Sequence, residues 1–360
     1  MRVVVFGATG FTGRLVVAAL LEMGVRDVVL GARDARKLAE LSSKHGGLPT
    51  RVADATRPET LGPLCEGAKV VVDTAGPFLK YGEPVVGAAI EAGAHFLDTT
   101  GEQAYIANVL DRFDARAKDK GVAVVDAMAF EFALGCACAA LLAESDPTLE
   151  TIDVFNRVSG MGASRGTQKS ALAAAGEPML VLRGGRLVRR PFEPRPTKVK
   201  MPGSAKVELA VPFPGSEALF LHTRYPHLKN VSTNLVLPAK AAIGAMALVS
   251  AQPALRALAG LGALEPLVKR VDAMREGPTD EERREQHFKV LARGRGHAEK
   301  TVMATGVDPY GITGVIAALG AKLLLDHGPK ATGVVSPDQA FGAKELLDRL
   351  EPYGVRVVWS

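Results

Sequence analysis

Short apolar runs recur through the first third of the chain, each closed by glycine or a polar turn and followed by a stretch with helical spacing. Val3-Val4-Val5-Phe6 opens the series, β-branched and without alternation, as a strand covered on both faces requires. Leu15, Val16, Ala18, Ala19 and Leu20 then repeat at helical intervals. Strands are expected at Val28–Leu30, Arg51–Ala53, Val70–Asp73, His95–Asp98 and Val122–Val125, with helices over 35–45, 58–65, 83–92 and 104–118. Six strands linked by helical crossovers predict an α/β fold, a Rossmann doubly wound parallel sheet, over residues 1–130.

The beat changes after residue 130. Strand-like segments at 151–156, 206–209, 231–237 and 298–305, separated by Pro- and Gly-rich turns, surround one helical stretch near 166–175. They predict an antiparallel α+β substrate or dimerisation domain over 131–307. Helices over 309–326 and 337–350 and a last strand at Arg356–Trp359 form a tail, 308–360, able to pack on either domain. Residues 241–268 are apolar and helical but interrupted by Pro253, Arg256 and Pro266. They fall short of the roughly 18 apolar residues of a membrane span. They are expected to be core or dimer-interface helices, with contact to lipid or to a hydrophobic substrate as the less favoured alternative.

Composition narrows the class. A chain of 360 residues, 47% hydrophobic and 23% charged, is ordinary for a globular protein of two domains. The net charge of +5 suits an anionic ligand, but the cations are scattered without interleaved aromatics, so nucleic acid is not an expected partner. Cys65, Cys136 and Cys138 give neither a disulfide framework nor metal-ligand spacing, and no metal is expected. A strand beginning at residue 2 leaves no room for a signal peptide, so the expected compartment is the cytoplasm.

The chemistry concentrates where strands end. Gly7, Gly10 and Gly13, with Thr9, Phe11 and Thr12 between them, join the first strand to the first helix as G-x-x-G-x-x-G. Gly7 permits the sharp turn, Gly10 lets backbone approach a pyrophosphate, and Gly13 lets helix and strand lie close. The helix N-terminus then faces the anion. At the end of the second strand Arg33 occupies the position that discriminates the ribose 2′ substituent, with Lys37 one turn on. Its fork matches a phosphate, so NADP(H) is preferred over NAD(H). The adjacent Asp34 could instead cap the next helix. Asp54, Ala75-Gly76-Pro77 and Glu102 lie after the third, fourth and fifth strands, where ligands of such sheets bind. Tyr81 and Glu102 are weak proton-donor candidates, and Glu102 reads equally as a helix cap. His222 and Lys169 are further candidates from the second domain, but no catalytic constellation is recognisable. Tyr225 and Lys229 have the spacing of a short-chain dehydrogenase pair but lie outside the dinucleotide unit and enclose Pro226.

Gly-Ala-Thr-Gly-Phe-Thr-Gly at 7–13, Gly-Pro-Phe at 76–78 with Tyr81-Gly82, and Asp98-x-x-Gly101-Glu102 resemble the saccharopine dehydrogenase-like oxidoreductases, a group that includes trans-acting enoyl reductases. Arg165-Gly166-Thr167 with Ser170 is similar as well. The resemblance implies a Rossmann domain, a second α+β domain that often mediates dimerisation, an NAD(P)(H) cofactor and a homodimer. The chain departs from the family after the sixth strand, where Ala129-Phe130-Glu131-Phe132 replaces a Pro-Gly-Asp or Pro-Ser-Asp turn. An apolar loop there suits a hydrophobic small-molecule acceptor better than an amino-acid-derived imine. The expectation is hydride transfer from NADPH to a C=C, C=O or C=N bond. The alternatives are a catalytically silent NADP(H) sensor and a lipid-associated scaffold protein.

Overall fold

Runs of Val are buried on both faces only if helices cover both sides of a sheet, and that is their setting here. The computed structural model describes residues 1–160, 162–174, 177–190, 196–243 and 265–360. Two compact units divide the chain. The first comprises Met1–Gly101, Tyr105–Ala133 and Tyr310–Gly342; the second comprises Glu102–Ala104, Leu134–Pro309 and Ala343–Ser360.

The first unit alternates β1 (Val3–Phe6), α1 (Phe11–Glu22), β2 (Val28–Ala32), α2 (Ala35–Lys44), β3 (Thr50–Val52), α3 (Leu61–Cys65), β4 (Val70–Asp73), α4 (Phe78–Glu91), β5 (His95–Asp98), α5 (Gln103–Asp119) and β6 (Ala123–Val125). All six strands are parallel, with β1 between β2 and β4: Val3 lies beside Val28 on one side and Val70 on the other. The order runs β3-β2-β1-β4-β5-β6, and beyond β6 a seventh parallel strand, Gly333–Val335, joins from far along the chain. The strand order reverses between β1 and β4, the switch point at which sheets of this kind take their ligands.

Helix Pro309–Asp326 belongs to this unit from Tyr310 onward. A Cβ on Gly314 would stand 2.9 Å from Leu15 Cβ, and one on Gly320 2.5 Å from Met128 Cε, so both glycines allow close packing. Among the described residues it is the one helix long and apolar enough to cross a membrane, and 67% of it is buried. Two expected boundaries shift. α4 begins at Phe78 rather than Glu83 and carries Pro84 inside it, because Phe78 and Gly82 both pack on Tyr105 and extend the buried face. The helix expected over 337–350 is two, Pro337–Phe341 and Ala343–Leu350, split where Gly342 takes φ +86°.

The second unit begins within α6 (Phe130–Ser145). Its sheet uses β7 (Thr151–Ser159), β8 (Met179–Arg183), β9 (Arg186–Arg190), β10 (Thr197–Lys200), β11 (Val207–Pro212), β12 (Asn230–Leu237), β13 (His287–Arg295) and β14 (Glu299–Val307). The order is β10-β11-β12-β7-β13-β14, with Arg356–Trp359 added beside β14, while the β8–β9 hairpin touches β12 at Leu182 and Val231. The sheet is mixed rather than antiparallel. β7 and β12 run parallel, a pairing that requires a long crossover, and residues 160–229 supply it. One face of β7 carries Ile152 and Val154, with Val154 beside Gly135 of α6. The other carries Phe155, which shares a buried cluster with Val199, Met201, Ala210, Val236, Leu291 and Met303. That cluster draws on β7 and β10–β14, so the sheet is curled around it. The apolar segment expected at 241–268 lies largely outside the described residues.

Candidate functional site

Two of the three glycines of the first loop, Gly7 and Gly13, are required, for different reasons. Gly7 has φ +78°, and a Cβ there would sit 2.7 Å from Thr74 Oγ1 and 3.0 Å from the Ala75 amide nitrogen. Gly10 is the extended residue from which α1 starts. A Cβ on Gly13 would overlap the Gly7 carbonyl and approach Ala8 Cα to 2.8 Å, so helix and strand meet only without a side chain. Gly10 caps α1 with no side-chain hydrogen bond, and the amides of Phe11, Thr12 and Gly13 meet no acceptor among the described residues. Three N–H groups thus stand at the positive end of a 12-residue helix, open to an anion. Arg14 Nη1 ties the loop by donating to the Thr9 carbonyl at 2.7 Å. The Phe11 ring meets Tyr310 edge-on with centroids 5.3 Å apart.

The neighbouring strand ends converge on this loop. Ala75 lies against Gly7, and its amide donates to Asp73 Oδ1 at 2.8 Å. Thr74 Oγ1 donates to the Phe6 carbonyl at 3.0 Å, so the turn before Gly76 and Pro77 is tied to β1. At the tip of β2, Arg33 is exposed, while Asp34 caps α2 by accepting from the Lys37 amide at 3.0 Å. That bond holds the Asp34 carboxyl below its ordinary range. Asp54 closes a turn by accepting from the Thr56 amide at 2.9 Å and the Thr56 hydroxyl at 2.8 Å. These bonds lower its pKa, and the positive charge of Arg33 adds to them.

Beneath the loops lies a cluster that spacing alone does not reveal. Parallel register puts Asp73 beside Asp98, and Asp126 follows β6 directly; all three are fully buried. Burial pushes Asp73 up to about 8, against the pull of the Ala75 amide. Asp98 rises to about 6, less because its Oδ1 accepts from the Ala127 amide at 2.8 Å and the Thr100 amide at 3.0 Å. Asp126 is raised well above the carboxylate range by burial and by the charge of Asp98. As carboxylates, both Asp126 oxygens would lack a hydrogen-bond partner; a retained proton gives Asp126 a hydrogen to donate toward Asp98. Tyr105 borders the same carboxyls, and burial followed by their charge drives its hydroxyl pKa upward. The carboxyls therefore organise the loops after β4, β5 and β6, with Asp73 and Asp126 holding protons at neutral pH.

Glu131, in the first turn of α6, is the titratable group that sequence reasoning passed over. It is half-buried, its Oε1 would lie 3.8 Å from a Cβ on Gly101, and burial raises it to about 7. The segment read as an apolar loop is the start of a helix, and the signal that could have found Glu131 was its acidic side chain at that N-terminus. The named donor candidates are placed otherwise. Tyr81 lies within α4, with the Lys80 ammonium 5.1 Å from its ring centroid. Glu102 is buried in the second unit and accepts from the Ser170 hydroxyl at 2.6 Å. Lys169 pairs with Asp272, and His222 Nδ1 engages the Leu219 carbonyl at 2.9 Å. The structure gathers Gly7–Gly13 with Ala75. Cys136 and Cys138 are buried on α6, and burial pushes Cys138 up to about 12. Among the described residues, no three His, Cys, Asp or Glu side chains converge as metal ligands.

The donor set of the first unit (three open amides, two obligatory glycines and an exposed guanidinium at the tip of β2) fits a phosphate-bearing dinucleotide. Comparison with known proteins agrees on the domain. Residues 3–125 match the saccharopine dehydrogenase NADP binding domain, and residues 135–358 match a family of unknown function, DUF5938. A trans-acting enoyl reductase of Mycobacterium ulcerans is 35% identical over 135 residues, 36% of this chain and 32% of that protein. Its counterpart in Mycobacterium bovis is 34% identical over 134 residues, with the same coverage. The matched segment is thus about a third of either relative's length. Apo saccharopine dehydrogenase (L-Glu forming) of Saccharomyces cerevisiae superposes with a TM-score of 0.67 at 14% identity, covering 100% of this chain and 99% of that one. Homospermidine synthase of Legionella pneumophila, solved in complex with NAD, gives 0.62 at 11% identity, covering 100% and 91%. These two likenesses establish the fold.

Proposed function

The chain belongs to the DUF5938 family, with a saccharopine dehydrogenase NADP binding domain ahead of the family region, and on that premise we propose that it is an NADPH-dependent reductase. Its substrate is an apolar small metabolite with a C=C, C=O or C=N bond. One observation carries the reading: the α1 N-terminus, stripped of side chains at Gly7, Gly10 and Gly13, leaves three amides free for a diphosphate. Gly7, Thr9, Gly10, Phe11, Thr12 and Gly13 would hold that diphosphate. Arg33 would take the 2′-phosphate, Asp54 would meet the adenine, and Ala75, Gly76 and Pro77 would border the nicotinamide ribose.

Bound NADPH supplies the hydride. The chain must still orient the acceptor and deliver a proton. Glu131 is best suited to the proton, because at about 7 it carries one near neutral pH and lies, half-buried, in the same unit as the loop. Glu102, already bonded to Ser170, and Tyr81 remain behind it. The name of the partial relatives favours C=C among the three bonds. A homodimer in the cytoplasm, free of nucleic acid, completes the proposal.

The test is calorimetric titration of purified protein with NADPH and NADH, followed by NADPH oxidation against a panel of enoyl, keto and imino compounds. Uptake of NADPH with turnover on one class is the expected result. Uptake without turnover on any class would identify a sensor, and no uptake of either nucleotide overturns the reading.

A further inference from the structure

Residue 127 is held in a backbone conformation that its side chain resists. Among the described residues, Ala127 at φ +63° and Asp308 at φ +52° are the non-glycine residues with positive φ. An aspartate tolerates the left-handed region because its short polar side chain can bond locally; alanine has no such group. A strained position of this kind persists only where its surroundings over-determine it, and such positions gather at functional sites.

Asp98 fixes this one. Its Oδ1 accepts from the Ala127 amide at 2.8 Å, and its carbonyl accepts from the Met128 amide at 2.7 Å. The same Oδ1 accepts from the Thr100 amide at 3.0 Å. One buried residue at the end of β5 thus ties its own loop and the loop after β6 to a common point. The groups facing its carboxyl are Asp73 from β4, Asp126 after β6 and Tyr105 from α5. With Asp126 protonated, Asp98 is the member of the pair that is charged at neutral pH, so the two amides meet a carboxylate.

The turn at Ala127 leads into α6. Ala127, Met128 and Ala129 are buried, and the Phe130 amide at the head of the helix donates to Thr313 Oγ1 at 3.2 Å. Glu131 comes next. Gly101, one residue past Thr100, is where the two loops meet: a Cβ there would stand 3.4 Å from Phe132 Cε2 and 3.8 Å from Glu131 Oε1. Burial at that seat is what raises Glu131, with its own backbone amide opposing.

We propose that Asp98 is the positioning residue of this site: by holding Ala127 left-handed, it seats the Glu131 carboxyl against Gly101 in the loop after β5. The assignment rests on the reading of Glu131 as the proton donor, and it adds which residue places that donor.

The test is a pH titration of the Glu131 carboxyl by carbon NMR of the glutamate-labelled full chain, with Glu131→Gln to assign its signal. In the wild type it should titrate at about 7. Asp98→Leu has similar size but no acceptor, and Glu131 should then fall toward the ordinary 4.5 as water reaches it. Asp98→Asn keeps an oxygen for the two amides and offers Asp126 a donor, so Glu131 should stay near its wild-type value. An unchanged Glu131 in a folded Asp98→Leu overturns the proposal, as does an equal fall in Asp98→Asn. Should Asp98→Leu fail to fold, native hydrogen exchange of the wild type decides. The Thr100, Ala127 and Met128 amides should open together, and exchange of Ala127 at the rate of an unstructured peptide overturns the proposal. Neither readout needs NADPH or a substrate. A fall of Glu131 in Asp98→Leu, with no reduction of any compound in the panel, would therefore uphold the positioning and sink the reductase reading alone.

Discussion

Asp73 shows what a single position does when the fold removes water from it. Its pKa is about 8 in the folded chain against an ordinary 3.8, so the folded state keeps a proton that the unfolded state releases. The stability it contributes is complete below pH 3.8 and is lost as pH rises through about 8. Asp73→Asn stays neutral while its side-chain oxygen can still accept from Ala75, so its thermal midpoint should fall less than the wild type's between pH 6 and pH 9. Parallel curves would show that Asp73 is not the group responsible. Glu131 makes the kinetic counterpart. An acid near 7 must be protonated to donate, so kcat/KM for reduction should decline above neutrality. Glu131→Gln should lose about a hundredfold or more in turnover, with NADPH affinity retained. Arg33→Ala should cost NADPH about tenfold or more in affinity, on the scale of one charge-assisted hydrogen bond, and leave NADH unchanged; equal losses would remove Arg33 from the 2′-phosphate. Asp73 was legible only as the last residue of a strand, and Glu131 only as an acid in an apolar stretch. Their titration depends on burial, which spacing does not report.

At the scale of elements, glycine decides where helices begin, stop and touch. The run Pro337–Leu350 has helical spacing throughout, yet Gly342 at φ +86° breaks it into two. An alanine there would adopt a backbone conformation that L residues rarely take, at a cost of about 1–3 kcal/mol. Gly342→Ala should therefore lower stability measured by denaturant unfolding without raising the helical circular dichroism; a gain in helix would mean that the break is not enforced by packing. Strands β1, β2 and β4 of the first unit were readable because their short runs are Val-rich and closed by turn residues. β13 was not, since His287–Arg295 mixes Lys, Arg and Gly among its apolar residues and becomes a strand by pairing with β7 and β14. The parallel alignment of β7 with β12 was equally hidden, because side-chain alternation is the same in either direction.

For the whole molecule, the first unit is discontinuous in the chain, and that has a consequence. A fragment ending at Ala133 would lack Gly333–Val335 beside β6 and the helix Pro309–Asp326 packed on α1. It should be poorly packed, with weak near-ultraviolet dichroism and strong dye binding, where the full chain is expected to unfold cooperatively; a cooperative unfolding transition in the fragment would contradict this. The amino-acid sequence by itself determined the glycine loop, the six strands, and Arg33 at the tip of β2. These are local consequences of apolar periodicity and of backbone conformations that only glycine reaches. Tertiary structure alone decided the seventh strand, the convergence of Asp73, Asp98 and Asp126, and the near-neutral titration of Glu131. Each of those arises when segments far apart in the chain exclude water from one another, and contacts of that kind leave no mark in the spacing of neighbouring residues.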